Sequence, residues 1–150
     1  MKKVLIATYS WSGQTDKVAE QLQELLPAAD SYQIQVADGT FDTDMYKTDA
    51  IATRQIEDHD YPQLVNPLLN FNDYDLILIG SPVWRGRPAT PIYSFLTALQ
   101  GFAGKVTSFY TDAGSAGSYD ATFKNWAQGL QVLPSHEGGS ALNDWLKELE

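Results

Sequence analysis

The chain has 150 residues, of which 43% are apolar and 19% are charged, and these are the proportions of a folded domain rather than of a disordered segment. Its formal net charge of -9 argues against a nucleic acid or an anionic membrane as partner. The sequence has no cysteine, which excludes disulfides, thiolate nucleophiles and thiolate metal sites. We expect one domain over residues 1–150. We also expect a cytoplasmic protein, because no apolar run is long enough for a signal peptide or a membrane span.

A short apolar strand and an amphipathic helix open the chain. Residues 3–8 form an apolar run that is typical of a buried strand. The helix is predicted from apolar residues at the spacing of one helical face, namely Val18, Leu22, Leu25 and Leu26. Residues 10–15 therefore form a strand-to-helix turn.

This first turn consists mostly of hydroxyl side chains, one glycine and backbone. Ser10, Ser12 and Thr15 add hydroxyl donors to the unpaired amides and positive dipole of a helix start. Gly13 lets a ligand approach the backbone closely. A phosphate would satisfy these donors together, whereas a helix cap alone needs only one hydroxyl. The turn lacks both the Gly-Lys-Ser/Thr of a nucleoside-triphosphate loop and the three glycines of a dinucleotide fingerprint.

The middle of the chain contains two further predicted strands and an acidic connection. Residues 32–36 alternate apolar and polar, as in an edge strand, while residues 75–80 are apolar throughout, as in a central parallel strand. Between them, residues 38–60 carry seven acidic and two basic side chains. We interpret this segment as a solvated face with a short helix near residues 49–57.

Two more unusual turns follow later strands. Residues 81–88 follow the third strand, and Thr90 and Pro91 are predicted to cap and open the next helix. A fourth strand at residues 106–111 ends in a turn rich in glycine and serine at residues 112–119. A helix, a short strand near residues 131–133 and a last helix with Ser140 as its N-cap complete the chain.

The alternation of strands and helices predicts an α/β fold, a three-layer sandwich around a five-stranded parallel sheet. The edge character of the second strand favours the strand order 2-1-3-4-5. In such sheets ligands bind beyond the carboxyl ends of the strands, and the three turns all fall on that rim. A flat heteroaromatic ligand with a phosphate tail would use all three. Trp84, outside any helical stripe, is predicted to contact the ligand, while Trp11 either covers the phosphate or packs internally.

The first turn, together with Pro82-Val83-Trp84-Arg85-Gly86 and the glycine-serine turn, resembles the single-domain bacterial flavodoxin family. That resemblance covers nearly the whole chain and implies a flavodoxin-like fold with FMN as cofactor. The first turn would hold the FMN phosphate, and the other two turns would enclose the isoalloxazine. The implied cofactor-binding residues are Ser10, Trp11, Ser12, Gly13, Gln14, Thr15, Pro82, Val83, Trp84, Arg85, Gly86, Asp112, Ala113, Gly114, Gly117 and Tyr119.

Arg85 and Arg87 depart from the family, which typically surrounds the flavin with acidic residues. Cations near a flavin favour its anionic reduced form, so the sequence leaves two functions open. One is an electron carrier that exchanges electrons with a redox partner protein, which the acidic face would attract if that partner is basic. The other is an FMN-dependent NAD(P)H:quinone oxidoreductase resembling the quinone reductases once described as Trp-repressor-binding proteins. A phosphoacceptor receiver domain is excluded, because carboxylates are missing from the ends of strands one and three.

Overall fold

The computed structural model describes residues 3–111 and 117–149. This part of the chain contains seven strands and five helices, with one 3-10 turn at Phe71–Asp73. In chain order they are β1 (Val4–Thr8), α1 (Gln14–Leu25), β2 (Asp30–Gln33), α2 (Met45–Asp58), β3 (Leu76–Trp84), β4 (Arg87–Pro88), α3 (Thr90–Ala98), β5 (Lys105–Thr111), α4 (Tyr119–Trp126), β6 (Gln131–Val132), β7 (His136–Glu137) and α5 (Leu142–Glu148). Among the described residues, no helix combines the length and apolar character that crossing a bilayer requires.

The main sheet is parallel, in the order β2-β1-β3-β5-β6. This confirms the predicted order 2-1-3-4-5 and the α/β class. Because side chains alternate across a strand, β1 places Leu5 in the core on one face and Ile6 in the core on the other. Phe95 of α3 and Phe123 of α4 lie on the Leu5 face. On the Ile6 face lie residues of α1 and α5, so the sheet is the middle layer of three.

The third strand is longer than the sequence suggested and changes the interpretation of the second turn. β3 continues through Pro82 and Val83 to Trp84 and then pairs with β4 as an antiparallel hairpin. Its two-residue tip, Arg85 and Gly86, has positive φ at both positions, 51° and 73°. This is the backbone of a type I′ turn, whose twist matches that of the flanking strands. The prediction that Trp84 lies in a loop was therefore wrong, because it ends a strand.

Helix boundaries differ from the predicted ones where capping signals were misread. α2 begins at Met45 rather than near residue 49, and its N-cap Asp44 accepts a hydrogen bond from the amide of Tyr46 at 3.3 Å. The N-cap of α3 is Ala89, so Thr90 lies within the helix. The N-cap of α5 is Ala141, in the left-handed region, rather than Ser140.

Both edges of the sheet are irregular. β2 lies at Asp30–Gln33, earlier than predicted, and Val36 beyond it forms a single antiparallel bridge with Leu64. At the other edge the fifth strand is split, since β6 pairs with the start of β5 and β7 pairs with its end. Pro134 lies between the two pieces, and its carbonyl accepts a hydrogen bond of 2.7 Å from the hydroxyl of Thr107.

Candidate cofactor site

The first turn is a strand-to-helix connection built on backbone hydrogen bonds. β1 ends at Thr8, and the amide of Tyr9 donates to the carbonyl of Gly80 in β3 at 3.0 Å. The chain then reverses through Ser10, whose Oγ accepts a hydrogen bond from the amide of Gly13 at 3.0 Å. The turn is thereby fixed at the carboxyl end of the two central strands, where the sequence placed it.

The N-terminus of α1 is open towards a ligand. Gly13 is the N-cap with φ of 91°, and among the described residues no side chain caps this helix. The amides of the first helical turn have no acceptor within their own helix and carry its positive dipole end. Ser12 and Gln14 are exposed beside them. This arrangement fits an anionic group such as a phosphate.

Thr15 is the second residue of α1. It is buried, and its hydroxyl lies 2.9 Å from the hydroxyl of Thr111 at the end of β5. Of the three predicted hydroxyl donors, Ser12 is therefore the exposed one, while Ser10 and Thr15 hold the turn together. The bond between Thr15 and Thr111 joins the first turn to the start of the third.

Trp84 is the centre of a group of aromatic rings behind the rim. Its residue is only 2% exposed, and its ring centroid lies 4.9 Å from Phe41, 5.8 Å from Tyr9 and 6.4 Å from Trp11. We call these four residues the rim aromatic cluster. The indole N–H of Trp84 is buried and has no hydrogen-bond partner among the described residues. Trp84 therefore belongs to the core in this structure, with a free N–H as the polar group that it could offer to a ligand.

The other members of the rim aromatic cluster anchor the loop before α2. The indole N–H of Trp11 donates to the carbonyl of Asp42 at 2.9 Å, and the hydroxyl of Thr48 donates to the same carbonyl at 2.7 Å. Burial raises the pKa of Tyr9 above that of a free phenol. Phe41 and Asp42 were not singled out in the sequence, because only the fold brings this loop to the rim.

The third turn meets the hairpin directly. The predicted residues Asp112, Ala113 and Gly114 lie outside the described residues. Past them, the hydroxyl of Ser118 donates to the carbonyl of Gly86 at 3.2 Å, and a Cβ added at Gly117 would lie 3.2 Å from the Cα of Gly86. The second and third turns thus approach each other closely at their glycines.

Tyr119 lies beneath the rim rather than on it. It is 1% exposed, and its hydroxyl lies 2.7 Å from that of Ser108 in β5. Burial raises the pKa of Tyr119, and the hydrogen bond to Ser108 opposes that rise only in part. With its ring packed 4.3 Å from Tyr110, Tyr119 is positioned to support the third turn from below.

The two arginines of the hairpin point to different neighbours. The side chain of Arg85 is 58% exposed, and its Nε lies 3.7 Å from Oδ2 of Asp49 in α2. Burial, and to a smaller extent Tyr93, raises the pKa of Tyr61, and the nearby charge of Arg87 opposes that rise. The hairpin therefore carries one cation that is paired with an acid and one that faces an aromatic neighbour.

Three turns at one rim, an open helix N-terminus and a parallel sheet of this order define a flavodoxin-like protein. The flavodoxin family model matches residues 3–148, and the chain belongs to that family. Among solved structures, a flavoprotein from Lactobacillus acidophilus NCFM in complex with FMN is 42% identical, with a TM-score of 0.91 over 97% of this chain and 99% of that one.

Two further structures place the chain within the fold. The apo form of the Lactobacillus acidophilus flavoprotein is 44% identical, with a TM-score of 0.78 over 97% of both chains. A flavodoxin described as WrbA-like, from Agrobacterium tumefaciens, is 16% identical, with a TM-score of 0.54 over 96% of this chain and 88% of that one, and shares the fold alone. No protein of curated function matches the chain.

Proposed function

We propose that this protein binds FMN at the rim formed by its three turns and acts in electron transfer. One observation supports the proposal above others: hydrogen bonds between Thr15 and Thr111 and between Ser118 and Gly86 bring all three turns to one place. The Lactobacillus flavoprotein with FMN, 42% identical over nearly the whole chain, supports the same cofactor.

In this proposal residues 10–15 hold the phosphate. The amides that follow Gly13 and the exposed hydroxyl of Ser12 are the donors, and the positive end of α1 favours the anion. Thr15 positions these donors from inside. Charge-assisted hydrogen bonds to a phosphate contribute more binding free energy than hydrogen bonds to a neutral group. FMN, which carries the phosphate, should therefore bind more tightly than riboflavin.

The flavin ring would lie between the hairpin residues 82–86 and the turn at residues 112–119. FMN supplies the redox chemistry, and the protein orients the ring, limits its contact with water and sets the charge around it. Gly117 lets the third turn approach the hairpin closely, because a Cβ there would lie 3.2 Å from the Cα of Gly86. Stacking of Trp84 and Tyr119 on the ring stays a prediction, and their burial favours a supporting role for both.

Electron exchange is proposed to occur with a basic redox partner. The segment that reaches the rim through Asp42 and Trp11 carries exposed acids on α2 and on the preceding loop, among them Asp44 and Glu57. Charge of this sign speeds encounter with a positively charged partner and loses its effect as salt is raised.

Two measurements test the cofactor assignment. The protein with added FMN should show the two-band absorption of a bound flavin and quenched flavin fluorescence. Titration with riboflavin, which lacks the phosphate, should give an affinity at least about 10-fold weaker. A factor of ten corresponds to about 1.4 kcal/mol of binding free energy. Equal affinities for FMN and riboflavin would refute the phosphate site at residues 10–15.

A second function, NAD(P)H:quinone oxidoreductase, is favoured by the exposed guanidinium of Arg85 at the hairpin tip. A nicotinamide dinucleotide carries phosphates, which a cation beside the flavin would bind. Anaerobic addition of NADPH to the FMN-loaded protein separates the two functions. A carrier keeps its flavin oxidised until a reductase is added, whereas an oxidoreductase bleaches it directly.

A further inference from the structure

The junction between α2 and the β3–β4 hairpin contains an ion pair with an unusual environment. Asp49 is a residue of α2 whose side chain is only 14% exposed, and its Oδ2 lies 3.7 Å from Nε of Arg85. Its other oxygen, Oδ1, is buried and has no hydrogen-bond partner among the described residues. This carboxylate is therefore largely removed from water, with Arg85 as its charged neighbour in the structure.

Two further buried polar atoms belong to residues that are near this pair in the chain. Thr53 is one helical turn beyond Asp49, and Trp84 immediately precedes Arg85 in the chain. The hydroxyl of Thr53 and the indole N–H of Trp84 are buried, and neither has a partner among the described residues. Buried polar groups without partners are costly, so proteins keep few of them, and each one calls for an explanation.

The hairpin connects Asp49 to the cofactor rim through Arg85. Arg85 has φ of 51°, a conformation that a residue other than glycine adopts at a cost. The next residue, Gly86, is the one whose carbonyl accepts the hydroxyl of Ser118 from the third turn. An interaction that holds the side chain of Arg85 in place therefore also restrains the hairpin tip, which contacts the third turn.

We propose that Asp49 is a positioning residue of the flavin site and a determinant of the flavin's reduction potential, acting through Arg85. It holds the hairpin against α2 and offsets the positive charge of the tip. This inference rests on the proposed FMN site. Without Asp49, an unpaired cation at the tip stabilises the anionic hydroquinone, and the semiquinone/hydroquinone potential becomes less negative.

The first test measures the potentials of the FMN-loaded protein by anaerobic titration. Asp49→Asn keeps the size of the side chain and removes one charge. Asp58→Asn is the matched control, since Asp58 is exposed on the same helix and its change alters the net charge equally. Asp49→Asn should shift the potential to a less negative value and Asp58→Asn should leave it nearly unchanged. Equal shifts in both variants would overturn the proposal.

The role of Arg85 is tested in the double variant. In an Arg85→Gln background, Asp49→Asn should move the potential by much less than it does in the native chain, because the charge that Asp49 offsets is gone. A shift of the same size in both backgrounds would show that Asp49 acts on the flavin directly, and the positioning role would be wrong.

A third test uses the protein without FMN and separates this proposal from the cofactor assignment. Trypsin cleaves after arginine but not before proline, so Arg85–Gly86 is the one tryptic bond in the hairpin, because Pro88 follows Arg87. Limited trypsin treatment followed by mass spectrometry should show faster cleavage at Arg85 in Asp49→Asn than in Asp58→Asn. Equal cleavage rates would refute the anchoring role, whereas failure of the native chain to bind FMN would refute only the proposed function.

Discussion

Replacement of Gly13 by alanine tests the anion site at the start of α1. Gly13 has φ of 91°, and a Cβ built on it meets no atom within 4 Å. The cost to the free protein is therefore backbone strain, about 1–2 kcal/mol for a left-handed residue with a side chain. In a chain of this length, each 1 kcal/mol lowers the melting temperature by about 2–4 °C.

Gly101 offers a matched control, since it also has φ of 91° and also leaves a Cβ in open space, but follows α3 at the far end of the sheet. Gly101→Ala should cost the same stability and leave FMN affinity unchanged. Gly13→Ala should weaken FMN binding by at least about 10-fold, because its methyl group enters the space of the anion. Calorimetry for the melting temperature and fluorescence titration for the dissociation constant provide both readouts. Equal FMN affinities in the two variants would refute the assignment of the phosphate to this turn.

Three further predictions concern stability. Gly80→Ala should destabilise the fold by about 2–3 kcal/mol in urea unfolding, because its Cβ would lie 2.4 Å from the ring of Phe109. Thr15→Val should cost about 1 kcal/mol by removing the hydroxyl pair with Thr111, and unchanged stability would show that this bond contributes nothing. Burial, aided by a hydrogen bond to a carboxylate, raises the pKa of Tyr74 to about 12. Because the unfolded chain ionises near pH 10, stability should fall as pH rises from about 10 to 12, and Tyr74→Phe should show a smaller fall.

The sheet was predictable because its central strands are apolar on both faces. β1 and the first part of β3 are apolar throughout, which is the pattern of parallel strands covered by helices on both sides. The first turn was also visible, since hydroxyls and glycine between a strand and a helix predict a helix start that binds an anion. Local sequence suffices for features of this kind.

The position of Trp84 could not be read from its neighbours in sequence. Proline at 82 and glycine at 86 suggested a loop, but Arg85 and Gly86 form a hairpin tip without the Asn-Gly signal that usually marks it. The burial of Trp84 depends on Phe41, more than forty residues away in the chain. Its role is set by tertiary contacts that no local pattern encodes.

The sequence predicted where the polar side chains of the site lie in the fold, but not which residues they contact. Thr15 was expected to donate to the ligand, which stays a prediction, and nothing in the sequence indicated that its hydroxyl also pairs with that of Thr111. Asp49 was read as part of a solvated acidic face, yet it is mostly buried against Arg85. Helical periodicity alone could not show this, because Arg85, the partner of Asp49, belongs to the hairpin and not to α2.

The irregular edges of the sheet bear on how the protein behaves at high concentration. An exposed, regular edge strand is a template on which a second chain can add its own strand. Here the amide of Val65 donates to the carbonyl of Gln35 at 2.9 Å, and the side chain of Asn66 donates to Gln33, which occupies acceptors beside β2. At the opposite edge, Pro134 interrupts the run between β6 and β7 and has no N–H to offer. Neither edge presents the continuous ladder that strand addition needs, so the fold itself resists growth into larger sheets.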